Sequence, residues 1–168
     1  MSRFNVSTWL SSSGGPLIVM DASIAGLWTG VDGQPSDYAM ACQSADYAGK
    51  LAAYGTEVLI LGDEPLQTAV ASAGDTLLIV RWKWAESEAE VRAQIEHIDL
   101  GRVSFIEQLS IDWLDSTLVM FDAADRFNPQ ACLKFQVDSP MCEVSTFLYE
   151  PTPQTALLIH SLTPRPVD

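Results

Sequence analysis

The chain is built from short apolar segments separated by residues that form turns. Apolar runs such as Leu17–Met20 and Leu118–Phe121 are four residues long, and Gly, Pro, Asp and Ser cluster between such runs. This pattern is typical of short strands joined by tight turns. A membrane-spanning helix needs about twenty consecutive apolar residues, which these segments do not supply. Two or three helical patterns also occur, so the sequence predicts an α+β fold with one domain over residues 1–168, a largely antiparallel sheet and two to three helices.

The clearest strand is predicted over residues 76–84, where side chains of different character alternate. Alternation places Trp82 and Trp84 on the same side of this strand, so both are expected in the core. Further strands are predicted at residues 16–20, 57–61 and 117–121, and a C-terminal β meander at about residues 133–160. Residues 103–114 have no clear period and fit either a helix or a strand.

Two helices are predicted from their start signals. Ser87-Glu88-Ala89-Glu90 matches a capping box, and Val91, Ile95 and Ile98 follow it at helical spacing. Ser36 is predicted as the N-cap of another helix, with Asp37 in its first turn. Asp21 is expected to cap a third, short helix that ends near Trp28.

The charge of the chain restricts the partners that it can bind. Twenty-two acidic residues stand against nine basic ones, which gives a formal net charge of -13. Binding to nucleic acid requires clustered Lys and Arg at the phosphates, so this class of partner is disfavoured. The excess of carboxylates fits either a basic protein partner or a general role in solubility, and composition alone leaves both open.

The residue types used in metal sites and disulfides do not occur at suitable spacings. Cys42, Cys132 and Cys142 are odd in number and contain no C-x-x-C pair, so reduced thiols are expected. His97 and His160 have no neighbouring ligands at metal-binding spacing. We therefore predict no metal and no cofactor.

No catalytic motif is recognised either. The chain contains no P-loop and no G-x-S-x-G sequence. Asp63 and Glu64 are a pair of carboxylates, but the flanking Gly62 and Pro65 explain the pair as a polar turn. The expectation is a protein that is not an enzyme, without a secretory signal and located in the cytoplasm.

Several local patterns coincide with one known family. They are the sequence W-L-S-S-S-G-G-P-L at residues 9–17, Ser36-Asp37-Tyr38 with Ala41-Cys42, Asp46-Tyr47-Ala48-Gly49, Leu61-Gly62-Asp63-Glu64-Pro65 with Thr68, and Arg81-Trp82. In this order they resemble the immunity protein 21 family of bacterial polymorphic toxin systems, over residues 9 to about 125.

The resemblance implies a small, non-catalytic cytoplasmic protein that binds the C-terminal domain of a cognate toxin and protects the producing cell. A toxin that acts on nucleic acid would have a basic groove, which an acidic partner could occupy. Two alternatives stay open. One is a small-ligand or regulatory binding domain with a concave apolar pocket lined by Trp residues. The other is an enzyme that uses Asp63, Glu64 and Asp122.

Exposed carboxylates are the residues expected to contact the toxin. One group lies on the helix with the capping box and the other is spread over the motifs: Glu86, Glu88, Glu90 and Glu96, and Asp37, Asp46, Asp63 and Glu64. Because Glu88 and Glu90 also stabilise the helix, Glu86→Lys with Glu96→Lys is expected to be the cleaner test of binding.

Overall fold

A computed structural model describes residues 2–44, 46–62 and 64–166 of the chain. The strands in these residues are β1 Asn5–Val6, β2 Leu17–Asp21, β3 Ala48–Ala53, β4 Thr56–Leu61, β5 Gln67–Ala73, β6 Thr76–Trp84, β7 Glu107–Asp112, β8 Thr117–Asp122, β9 Leu133–Gln136, β10 Met141–Thr152 and β11 Thr155–Pro164. The helices are a 3-10 helix over Ala22–Leu27, α1 over Asp37–Ala41 and α2 over Glu88–Ile95.

The strands form two sheets in which all neighbours are antiparallel. The six-stranded sheet has the order β1-β5-β6-β11-β10-β7, and the five-stranded sheet has the order β3-β4-β2-β8-β9. Strand accounts for 47% of the chain and helix for 12%, so the predicted α+β fold with a single main sheet is wrong and the fold is β-rich. The helical segments are short, and they pack on the outer faces of the sheets.

Apolar side chains fill three layers around the two sheets. The central layer lies between the sheets and contains residues of both, among them Leu17, Leu59 and Ile79. The helix α2 and the N-terminal segment cover the outer face of the six-stranded sheet through Phe4 and Val91. The 3-10 helix and α1 cover the outer face of the five-stranded sheet. Each sheet is therefore buried on both faces, which explains short apolar runs that do not alternate with polar residues.

The predicted caps of the two α-helices are confirmed. The Ser87 hydroxyl accepts a hydrogen bond from the Glu90 amide at 3.1 Å, and the Ser36 hydroxyl accepts one from the Ala39 amide at 3.0 Å. The prediction for Asp21 is wrong, because its side chain does not cap the 3-10 helix. The buried Asp21 carboxylate instead accepts the amide of Asp115 at 2.7 Å and so fixes a distant loop.

A β-bulge in β6 separates the two tryptophans that the sequence places together. Trp82 is opposite Leu157 and Trp84 is opposite Ala156, so Lys83 is an extra residue in β6. Residues directly opposite each other in antiparallel strands point to the same face, and neighbours along a strand to opposite faces. Trp82 therefore packs in the outer layer with Leu157, whereas Trp84 faces the other way and is 47% exposed. The expected core position of Trp84 is wrong.

The C-terminal strands are divided between the sheets. β9 pairs with β8 in the five-stranded sheet, while β10 and β11 form a hairpin in the six-stranded sheet. Residues 103–114, which fit either a helix or a strand, contain β7 at the edge of the six-stranded sheet.

Candidate functional site

The strand register brings most of the sequence motifs to one end of the five-stranded sheet, which we call the motif end. Leu17 in β2 is opposite both Leu61 in β4 and Asp122 in β8, and Leu61 is also opposite Ala48 in β3. The loops that precede Leu17 and Ala48 and the loop that follows Leu61 therefore meet. They are residues 11–16, the described part of 42–47, and the described part of 62–66.

Glycines at the motif end allow these loops to pack closely. A Cβ atom on Gly15 would lie 2.6 Å from the ring of Tyr38, and one on Gly62 would collide with the backbone carbonyl oxygen of Asp46. Between the loops lies a hollow of about 180 Å³, lined by residues that include Gly14, Gly15, Tyr38, Cys42, Glu64 and Pro65. The glycines of the motifs thus have a direct packing role.

Replacing Gly62 with alanine is expected to lower the free energy of unfolding by about 1 to 3 kcal/mol, because the new methyl group meets rigid backbone. Chemical denaturation measures this change. Gly26→Ala is the matched control, since a Cβ there meets no atom within 4 Å and the variant should keep the stability of the wild type. Equal stability of the two variants would contradict the close packing of the two loops.

Asp122 holds the serine- and glycine-rich loop against the end of β8. Its carboxylate accepts hydrogen bonds from the Ser13 amide at 2.8 Å, the Ser13 hydroxyl at 2.9 Å and the Ala124 amide at 2.9 Å. The side chain is largely buried. These contacts give Asp122 a structural role that stabilises the motif end.

The tyrosines near α1 remain protonated at neutral pH. A hydrogen bond with Cys42 is the largest factor that raises the pKa of Tyr38. Burial raises the pKa of Tyr54 to about 12, and its hydroxyl also donates a hydrogen bond to Asp37. Since both hydroxyls stay neutral, they act as hydrogen-bond donors and not as additional negative charges.

The carboxylates predicted on the capped helix have different environments. Glu86 is exposed and has no side-chain partner among the described residues. Glu88 accepts the indole N–H of Trp9 at 3.0 Å and forms an ion pair with Arg92 at 3.2 Å. Glu90 accepts the side-chain amide of Gln94 at 2.9 Å. Of these three side chains, Glu86 is therefore the one whose replacement disturbs the fold least.

Glu96 has a structural role that the sequence did not reveal. Its carboxylate accepts the backbone amides of Arg3 at 2.6 Å and Phe4 at 3.2 Å, and Phe4 is buried against the outer face of the six-stranded sheet. Glu96→Lys would release the N-terminal segment, so this variant is not the clean test of binding that the sequence indicated.

The second predicted group of carboxylates is not one cluster. The Asp37 carboxylate accepts the Thr29 amide at 2.8 Å and the Tyr54 hydroxyl, and so stabilises α1. Asp46 and Glu64 are exposed at the motif end. Asp63 lies outside the described residues. The structure thus keeps Asp46 and Glu64 as candidates for contact with a partner.

Most basic side chains are occupied by contacts within the protein. Arg92, Arg102, Arg126, Arg165 and Lys50 form ion pairs with the carboxylates of Glu88, Asp99, Asp32, Asp112 and Glu57, respectively. Arg81 is buried and donates a hydrogen bond to the carbonyl oxygen of Glu64 at 2.5 Å. Asp46, Glu64 and Glu86, in contrast, are exposed carboxylates that form no ion pair with the described residues.

A polar cluster between the sheets was missed by the sequence reasoning. His160 is fully buried on β11, and its Nδ1 atom lies 2.7 Å from the Thr146 hydroxyl. Burial, together with the nearby charge of Arg81, lowers the pKa of His160 to about 3. Alternation along β6 places Arg81 on the other face of the strand from Trp82, and this is the sequence signal for a polar residue on the inner face.

Other site types are not found in the described part of the chain. No group of three or more His, Cys, Asp or Glu side chains there could hold a metal ion. None of its helices is long and apolar enough to cross a membrane.

The family model described as Immunity protein 21 matches residues 8–152 of the chain. The motifs cover residues 9 to about 125, whereas the family match continues to residue 152 and so includes all of β10. No curated protein and no solved structure matches the chain significantly.

Proposed function

Because the chain belongs to the immunity protein 21 family, we propose that it binds a cognate bacterial toxin domain and neutralises it in the cytoplasm of the producing cell. The family match over residues 8–152 is the observation that carries this proposal. The protein acts by forming a complex and does not catalyse a reaction. Its partner is the C-terminal domain of a toxin from a polymorphic toxin system.

The charge of the surface supports a basic toxin domain as the partner. A net charge of -13, with five of nine basic residues held in ion pairs, gives long-range attraction to a positive surface. Such attraction mainly raises the rate of association and disfavours acidic partners. Toxins that act on nucleic acid carry the required positive groove, since they must hold phosphates.

Glu64 and Glu86 are the carboxylates best suited to attract this partner. Both are exposed, and neither side chain has a partner among the described residues. They also lie at the same end of the six-stranded sheet. Glu86 is two residues after the last residue of β6, and the backbone carbonyl oxygen of Glu64 accepts a hydrogen bond from Arg81, near the end of β6. Asp46 belongs to the adjacent loop.

The first experiment is to read the gene next to the one that encodes this chain and to produce the last domain of its product. Co-expression of that domain in a sensitive bacterium should stop growth, and the present protein should restore growth. Calorimetry with the purified pair should show a stable complex. A domain that is not bound, or toxicity that is not relieved, would overturn the proposed function.

Charge reversal tests the role of the acidic surface. Glu64→Lys combined with Glu86→Lys is expected to slow association with the toxin domain by about tenfold at low salt, and the difference should shrink as salt screens the charges. Stopped-flow fluorescence at several salt concentrations measures the effect.

The matched control changes the same charge at the far end of the molecule. Asp75 immediately precedes β6, and Asp138 lines the same small cavity as Asp75. The nine residues of β6 separate this end from Trp84 by about 26 Å. Asp75→Lys with Asp138→Lys should change the association rate much less. If both double variants slow association equally, the association rate depends on the net charge of the protein and not on the position of Glu64 and Glu86.

A further inference from the structure

Part of the inner face of the six-stranded sheet extends past the five-stranded sheet. Leu148 in β10 is opposite Leu158 in β11, and Leu158 is opposite Arg81 in β6, so these three side chains share a face. Arg81 contacts the carbonyl oxygen of Glu64, in the loop that follows the end of β4. The loop that follows β4 therefore lies over this part of the six-stranded sheet, where Arg81, Ala156 and Leu158 are buried.

Two large apolar side chains of this face are exposed on either side of these buried residues, one on β6 and one on β10. Trp84 shares the face of Ala156, which is two residues from Leu158 and on the same side of β11. Trp84 is 47% exposed and Leu148 is 40% exposed. We call Trp84 and Leu148 together the overhang surface. The bulge at Lys83 turns Trp84 onto this face, although regular alternation would have placed it in the outer apolar layer with Trp82.

The Trp84 side chain is held in one orientation before any partner binds. Its indole N–H donates to the carbonyl oxygen of Pro153 at 3.3 Å, in the turn between β10 and β11. A fixed aromatic side chain loses little conformational entropy on binding, and tryptophan is enriched among the residues that dominate binding energy at interfaces.

Three exposed glutamates lie close to the overhang surface along the chain or through the contact with Arg81. Glu86 is two residues from Trp84, Glu150 is two residues from Leu148, and Glu64 lies in the loop that contacts Arg81. All three glutamates are exposed. Exposed apolar side chains with carboxylates nearby fit a partner that offers an apolar side chain or pocket with Lys or Arg beside it.

We infer that the overhang surface is the docking site for the basic toxin domain, with Trp84 and Leu148 as its apolar anchor. This inference rests on the proposed function and adds which surface binds. The charge also argues against a second copy of the chain as the occupant, because two molecules that each carry a net charge of -13 would repel each other.

Removing the anchor should weaken binding of the toxin domain encoded by the neighbouring gene. Trp84→Ala is expected to raise the Kd at least about 30-fold, the size of effect that is typical of an interface hot spot. Because the lost contact is apolar, the loss should persist at high salt, unlike that of the charge-reversal variant. Leu148→Ala is the second variant and should weaken binding in the same direction.

Leu114→Ala is the matched control. Leu114 is 57% exposed and precedes Asp115, whose amide binds Asp21 at the opposite end of the five-stranded sheet. It should change the Kd less than about threefold, as expected for a residue outside the interface. Thermal unfolding of each variant confirms that the fold is intact before its binding is measured.

The outcomes separate this inference from the proposed function. If the wild type binds the toxin domain and the Trp84 and Leu148 variants bind equally well, the docking site is elsewhere and the proposed function stands. If the wild type does not bind, the proposed function fails and the inference fails with it. Sedimentation that shows a wild-type dimer and a monomeric Trp84→Ala variant would assign the surface to self-association and overturn the inference.

Discussion

Replacing Trp28 with alanine is expected to lower the free energy of unfolding by about 3 to 5 kcal/mol. Trp28 directly follows the 3-10 helix, and its side chain is fully buried in the layer that covers the five-stranded sheet. Its indole N–H also donates to the carbonyl oxygen of Ala123 at 2.9 Å. The substitution removes a large apolar volume and leaves this carbonyl group without its partner.

Such a loss is a large part of the stability of an ordinary domain, which is about 5 to 15 kcal/mol. Chemical denaturation followed by circular dichroism gives the free energies for the wild type and the variant. Because the 3-10 helix and α1 depend on this layer, we also expect Trp28→Ala to lose protection from hydrogen exchange first in these two helices.

Trp84→Ala is the matched control for this prediction. Trp84 also donates its indole N–H to a backbone carbonyl oxygen, but about half of its side chain is exposed. Its replacement should lower the free energy of unfolding by less than about 1.5 kcal/mol, because less apolar surface is lost. A Trp28 variant that is as stable as the Trp84 variant would contradict the buried position of Trp28.

A second large effect is expected from the buried His160. In the unfolded chain the pKa of a histidine is about 6.5. In the folded protein burial and the charge of Arg81 lower the pKa of His160 to about 3. Between these two pKa values the unfolded chain binds one more proton at His160 than the folded protein does. The contribution of neutral His160 to stability is therefore complete above about pH 6.5 and declines as the pH falls towards about 3.

The slope of this contribution is about 1.4 kcal/mol for each pH unit. Lowering the pH from 6.5 to 5 should therefore remove about 2 kcal/mol of the free energy of unfolding. His160→Gln, which retains a hydrogen-bonding side chain next to Thr146, should lack this slope. Denaturation curves at several pH values for the wild type and the variant give the difference, and comparison of the two removes the titration of carboxylates that both share.

His97 provides the control because it is the other histidine of the chain and its side chain is exposed. His97→Gln should retain the pH dependence of the wild type between pH 5 and 6.5. If His160→Gln also retains the pH dependence of the wild type, His160 does not stay neutral in the folded protein. The absolute stability of His160→Gln at pH 7 is a separate quantity, which reports how well glutamine fits the site.

Local signals in the sequence identified individual elements well. The caps at Ser36 and Ser87 depend only on residues within one helical turn, and both are confirmed. The strand over residues 76–84 was predicted with its full length, because turn residues bound an apolar segment there. The family resemblance was also visible, since each motif is a short run of neighbouring residues.

The fold class could not be derived in the same way. Whether strands form one sheet or two depends on pairing between distant segments, and in this chain β9 and β10 are close in sequence but belong to different sheets. The helical patterns form only short helices, and the strands of the two sheets outweigh them, so the fold is β-rich and not α+β. The inner polar cluster escaped prediction for the same reason, because His160 and Thr146 meet only across two strands.

The candidate site shows the same division. Composition and neighbouring residues were sufficient to predict the excess of carboxylates, the N-caps at Ser36 and Ser87, the strand over residues 76–84 and the family motifs. Which carboxylates are free depends on contacts between segments that are distant in sequence: Glu96 binds the N-terminal segment and Asp37 binds α1, whereas Glu64 and Glu86 face solvent. The exposure of Trp84 likewise depends on pairing between strands, because a bulge is defined by the partner strand and has no signal of its own in the sequence.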